Sequence, residues 1–283
     1  MDNVGFTADA IAARRTLMGL PYVDDIYKVL FEKVSIDEKL QLEEALKPEN
    51  ASLIPFFESR YRILDKLIGQ TGIQKILEVA AGFAPRSLIW TENPAVTYVE
   101  VDLPFKIGQK REVVNTLIDQ LKINPRTSLY FEEGDVLDMG DLSRAVKHLG
   151  HNGPIIIANE GLLRYLTHDQ KKIVAENFKK LLERFGGYWI TPDINLAESF
   201  QTNPLHVTYT DKIQSRLGTD INANVFKSIA EGKAFFEDLG FTVEEHSFME
   251  VANEIVCAER INMSDDKIKE LIGWRVAFVM KLK

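Results

Sequence analysis

A chain of 283 residues with 45% hydrophobic content can bury a full core, and its length suits one large domain. Its 34 Lys and Arg stand against 42 Asp and Glu, a net charge of -8, which argues against a nucleic-acid partner. A single cysteine, Cys257, excludes an internal disulfide and a thiolate metal site, as suits a reducing cytoplasm.

No basic stretch followed by an apolar run opens the sequence, and nowhere do about 18 apolar residues run uninterrupted. A cytoplasmic protein with no membrane partner is expected. The five histidines show no ligand spacing, so no metal is expected either. Nothing reads as a linker, which predicts one domain over 1–283 with an N-terminal helical cap over 1–70.

Residues 23–47 alternate apolar and charged positions at helical spacing up to Pro48, predicting a helix, and 59–69 predict a second. From Lys75 onward, short apolar runs alternate with longer amphipathic segments, the pattern of strand–helix alternation and a parallel sheet. The predicted strands are 75–80, 96–102, 128–133, 154–159 and 186–191, and the predicted helices are 104–122, 138–149 and 167–185. Thr167 and Gln170 form a capping-box pattern at the start of the last helix, which carries Val174, Phe178, Leu181 and Phe185 on one face.

Residues 192–230 are polar and lack a period, so they read as an insertion and a substrate lid. A helix near 231–239, a strand in FTVEEHSF, a helix near 264–272 and a strand in WRVAFVMKL complete the chain. The result is a doubly wound α/β fold, a mostly parallel seven-stranded sheet with an antiparallel edge.

Four segments fall at the carboxyl ends of successive strands, where such sheets bind ligands. In ILEVAAGFAPRS, residues 76–87, small residues let the backbone approach a ligand and expose amides to it. Ala80 and Ala84 stand where a dinucleotide fingerprint would need glycine, which counts against a nicotinamide-dependent oxidoreductase. TYVEVDLP ends a strand on Asp102, about 20 residues past Gly82, the position from which a carboxylate accepts ribose hydroxyls. Asp102 equally suits a helix N-cap before Pro104.

In SLYFEEGDVLDM, residues 128–139, Asp135 can accept from an adenine amino group while the Val136 amide meets a ring nitrogen. An ordinary Gly-Asp turn is the plainer reading. In PIIIANEGLLRYLT, residues 154–167, a buried strand stops at Asn159 and Glu160. A buried carboxylate is costly unless paired, so Glu160 should meet an arginine or a ligand ammonium.

Together the VEVDLP segment, with Lys110 beyond it, and the NEGLLRYLT segment resemble the leucine carboxyl methyltransferase family over about 59–190. That family includes bacterial O-methyltransferases of natural-product pathways. The resemblance implies a class I methyltransferase fold, Rossmann-like, and S-adenosylmethionine as cofactor. It also implies that an arginine before the first strand holds the methionine carboxylate: Arg60 in ESRYRILD, with Arg62 as the alternative. Carried over, the family pattern places Ala80 and Gly82 at the methionine portion, Asp102 at the ribose, Asp135 and Val136 at the adenine, and Glu160 at the methionine amino group. Ala80 departs from the glycine usual in the family, which would tighten the loop and weaken cofactor binding.

The acceptor is then a carboxylate or hydroxyl of a small molecule or peptide. Transfer from a sulfonium is an in-line displacement, so the protein mainly aligns the partners and excludes water. A carboxylate acceptor needs no base, whereas a hydroxyl needs one within reach. His206 and Tyr209 in the insertion are candidate substrate contacts, against a solvated histidine and a packed tyrosine. Arg164 would meet an acidic substrate or simply neutralise Glu160. Tyr22 and Phe57 are available to line the pocket, or merely pack. A methyltransferase-fold protein that binds without turnover is the remaining alternative.

Overall fold

Seven strands build one sheet in the computed structural model, which describes residues 5–197, 214 and 221–283. In chain order they are β1 (Lys75–Val79), β2 (Thr97–Asp102), β3 (Leu129–Glu133), β4 (Ile155–Asn159), β5 (Gly187–Thr191), β6 (Phe241–Ser247) and β7 (Val276–Leu282). Their spatial order is β3-β2-β1-β4-β5-β7-β6. The first five run parallel, while β7 is antiparallel to both β5 and β6. The five parallel strands lie within a residue or two of their predicted bounds.

Alternation across the strands feeds two cores, as expected for a sheet covered on both faces. Ile76, Tyr98, Ile156 and Ile190 pack on one side with the helix Ile54–Thr71. Leu77, Val99, Ile157 and Trp189 pack on the other with the helix His168–Phe185. Trp189 is fully buried, with Phe178, Phe236 and Phe241 meeting its rings edge-on.

Helices among the described residues are α1 (Gly5–Arg15), α2 (Val23–Lys33), α3 (Ile36–Ala45), α4 (Ile54–Thr71), α5 (Arg86–Trp90), α6 (Pro104–Leu121), α7 (Met139–Ala145), α8 (His168–Phe185), α9 (Ile229–Asp238), α10 (Cys257–Arg260) and α11 (Asp265–Ile272). The single helix expected over 23–47 is two. Val34 is extended, and Ser35 starts α3 with a capping box, its backbone NH meeting Glu38 Oε2 at 2.8 Å and its Oγ accepting the Glu38 amide at 3.3 Å. The sequence Ser-Ile-Asp-Glu carried that signal. Helix α1 lies within the helical cap expected over 1–70, although no helix was predicted at its own position. The box at Thr167 is present, with the Thr167 amide to Gln170 Oε1 at 2.9 Å and the Gln170 amide to Thr167 Oγ1 at 3.2 Å.

Register decides where a ligand can sit. Val79 is level with Val101 and with Asn159, and Asp102 with Glu133. The residues that follow β1, β2, β3 and β4 therefore emerge along one edge. Strand order reverses about β1, whose neighbours are β2 and β4, and such a switch opens a crevice there. The expected insertion over 192–230 lies largely outside the described residues.

Candidate active site

After β1 the chain turns through Ala80 and Gly82, both left-handed, with φ of 53° and 47°. The Gly82 amide donates to Asp102 Oδ2 and the Leu103 amide to Asp102 Oδ1, each at 2.8 Å. Asp102 thus ties the end of β2 to the loop after β1. It does not cap α6, whose N-cap is Leu103 with no side-chain bond. Ala80 adopts a conformation that costs an L-residue about 1–2 kcal/mol, a cost that glycine would not bear.

At the end of β3, Asp135 Oδ1 accepts the Leu137 amide, and the Asp135 amide donates to Asp141 Oδ2, both at 2.9 Å. The Gly-Asp turn is therefore real, and Asp135 remains exposed beside buried Val136. Gly134 cannot carry a side chain without adjustment, since a Cβ would lie 3.0 Å from Asp141 Cβ and 3.1 Å from Val101 Cγ1.

Glu160, just past β4, meets arginines as expected, but three of them. Its Oε1 accepts from Arg15 Nη2 at 3.3 Å and Arg60 Nη2 at 3.2 Å, and its Oε2 from Arg86 Nη2 at 3.1 Å. Burial alone would raise the Glu160 carboxyl, yet Arg15, Arg60 and Arg86 hold it down at about 2. Arg86 also pairs with Glu78 of β1 and lies 4.3 Å from the centre of the Tyr61 ring. Lys110 pairs with buried Glu100 of β2 at 2.5 Å.

Arg60, Ala80, Gly82, Asp102, Asp135, Val136, Glu160 and Arg164 all line one cavity of about 290 Å³. Arg62, the alternative to Arg60, bonds instead to Glu58 and to the Met18 carbonyl. Phe57 lines the cavity. Tyr22 does not: it starts α2 and donates to Glu92 Oε1 at 2.5 Å. Arg164 is buried beside the Tyr165 ring, whereas Glu160 accepts from Arg15, Arg60 and Arg86. His206 and Tyr209 lie outside the described residues. A helical N-terminal cap was expected, but sequence reasoning did not single out the α1 residues that supply this wall, Thr7, Ala8, Ile11 and Arg15. Lys106 fastens that wall with two 2.9 Å bonds to the Asp9 carboxylate.

This donor set fits an adenosyl amino acid. One end of the cavity presents carboxylates and amides at Asp102, Asp135 and Val136, and the other presents guanidinium groups around Glu160. Arg15 Nε and Arg60 Nε are buried with no hydrogen-bond partner among the described residues, which suits an end that receives a carboxylate. No group of three His, Cys, Asp or Glu able to hold a metal ion occurs among the described residues. Nor is any described helix long and apolar enough to cross a membrane.

A sheet of this order with its cavity at the β1/β4 switch defines a class I methyltransferase fold. The chain belongs to the leucine carboxyl methyltransferase family, whose model matches residues 6–179, and so stands among the S-adenosylmethionine-dependent methyltransferases. The fold is shared with PigF, solved with S-adenosylhomocysteine, at 14% identity and a TM-score of 0.52 over 100% of this chain and 68% of that one. A Nostoc punctiforme protein assigned as an O-methyltransferase matches at 13% identity and a TM-score of 0.50, over 99% of this chain and 72% of that one. An O-methyltransferase family protein of Burkholderia thailandensis aligns at 13% identity and a TM-score of 0.49, over 89% of this chain and 61% of that longer one. No curated protein matches the chain.

Proposed function

We propose that the protein transfers the methyl group of S-adenosylmethionine to an oxygen of a small-molecule or peptide acceptor. The observation that carries this reading is convergence: residues at the carboxyl ends of four separate strands, together with Arg60 of α4, line one cavity. Asp102 would take the ribose hydroxyls, Asp135 and the Val136 amide the adenine, and the arginines around Glu160 the methionine carboxylate. Glu160 would then offer its charge to the amino group.

When bound, the sulfonium supplies an activated methyl carbon. The chain's own contribution is alignment and exclusion of water, and α1, held by Asp9 and Lys106, covers the cavity for that purpose. Arg164 supplies a guanidinium to an acidic acceptor. A carboxylate acceptor arrives ionised and needs no proton removed, whereas a hydroxyl acceptor would need a base within reach. The chain is proposed to form a single domain; the lid expected over 192–230 falls mostly outside the described residues, and its described flanks pack in the core through Ile194, Leu196 and Phe226. Buried Cys257 fits a cytoplasmic setting.

The test incubates the protein and methyl-labelled cofactor with panels of carboxylic and phenolic acceptors, then treats labelled products with alkali. Ester products release labelled methanol and ether products do not, which separates the two acceptor classes. Cofactor binding without label transfer to either panel would favour the non-catalytic binding protein instead.

A further inference from the structure

Asp193 lies two residues past β5, outside every motif above, and is buried. Among the described residues no guanidinium or ammonium hydrogen-bonds its carboxylate, although the charges of Arg60 and Lys171 act on it; it accepts four N–H bonds from the loop after β4 and the end of that strand. Oδ1 takes the Gly161 amide at 2.8 Å. Oδ2 takes the Leu162 amide at 2.7 Å, the Asn159 side-chain amide at 2.9 Å and the Leu163 amide at 3.3 Å. Asn159 is itself fixed from the core, its Oδ1 accepting from Trp189 Nε1 at 2.8 Å.

The loop so gripped carries Glu160 at one end and Arg164 at the other. Gly161 within it is left-handed at φ +83°, and a Cβ there would lie 3.1 Å from Arg60 Nη2. Backbone and guanidinium are thus in close contact, so a shift of the loop moves the groups at the arginine end of the cavity.

We propose that Asp193 is a positioning residue, which holds the loop after β4 in the shape that receives the amino-acid end of the cofactor. The proposal rests on the cofactor reading above. A carboxylate is suited to the task because it is acceptor-only and can satisfy several amides at once. In Asp193→Asn the side chain keeps its size but turns an N–H₂ donor towards amide donors, so the loop loses its fixed shape.

The experiment compares S-adenosylhomocysteine with 5′-methylthioadenosine, which lacks the amino-acid portion, by calorimetric titration of wild type and Asp193→Asn. Weakening of S-adenosylhomocysteine by about tenfold or more, with methylthioadenosine changed less than about threefold, is the expected result. Equal weakening of both ligands, as general loosening of the fold would give, or of neither, overturns it. Hydrogen exchange on the ligand-free wild type gives a second measure that needs no variant. The Gly161 and Leu162 amides are expected to be protected before any ligand is added, and exchange at open-loop rates would overturn the proposal. A wild type that binds neither ligand refutes the cofactor reading, while the exchange result still decides whether Asp193 fixes the loop.

Discussion

The Gly82 amide and Asp102 Oδ2 meet at 2.8 Å, joining the loop after β1 to the end of β2. One carboxylate therefore serves both the fold and the proposed ribose site. An amide bond to a charged acceptor contributes about 1.5–3 kcal/mol. Asp102→Ala is expected to lower unfolding stability by about 1–3 kcal/mol and to weaken S-adenosylhomocysteine by about tenfold or more. Urea titration and calorimetry measure the two effects separately. A variant that is destabilised yet binds like wild type would leave Asp102 with the structural role alone.

Glu160 makes the acid side of the stability curve informative. Its carboxyl falls from 4.5 to about 2 on folding, so its contribution is fully present above about pH 4.5 and disappears as pH falls towards 2. Glu160→Gln leaves Arg15, Arg60 and Arg86 without their shared anion and is expected to cost about 3–5 kcal/mol at pH 7. The gap between wild type and variant should narrow between pH 4.5 and 2. A gap that stays constant across that window would show that the ionised carboxylate is not what the arginines hold.

The sheet was legible because buried parallel strands are short apolar runs, and β1 to β5 are such runs with little else to confuse them. The cavity lining was legible where a residue's position follows from a strand end, as with Asp102, Asp135 and Glu160. Arg15 and Arg86 were not, since their partner Glu160 lies 145 and 74 residues away and only tertiary packing joins them. Asp193 escaped for the same reason, as did α1, whose Ala-rich run shows little amphipathic contrast. The break at Ser35 was missed although its capping box is written in four consecutive residues.

Ala80 is strained at φ 53°. Ala80→Gly removes about 1–2 kcal/mol of left-handed strain and adds about 0.5–1 kcal/mol of unfolded-chain entropy. The net expectation is stabilisation of up to about 1.5 kcal/mol, read as a higher urea midpoint with unchanged slope. A lower midpoint would mean that the Ala80 methyl contributes packing that outweighs the strain.

Lys171 of α8 is buried, donates to the Asn224 carbonyl and lies 5.3 Å from the centre of the Phe226 ring. Burial lowers its ammonium from 10.5 to about 8, opposed by Asp193. The folded state therefore releases this proton first, and stability should rise with pH between about 8 and 10.5, by up to about 3 kcal/mol. Subtracting the profile of Lys171→Met isolates the effect. No difference in slope between the two across that window would place the ammonium in a more polar setting than the structure shows.

Calorimetric titration of the wild-type protein with S-adenosylhomocysteine, with NAD as the control ligand, tests the cofactor assignment most directly because it needs no knowledge of the acceptor. Saturable binding of S-adenosylhomocysteine with none of NAD is the predicted result. Binding of NAD in preference, or of neither ligand at high concentration, would contradict it.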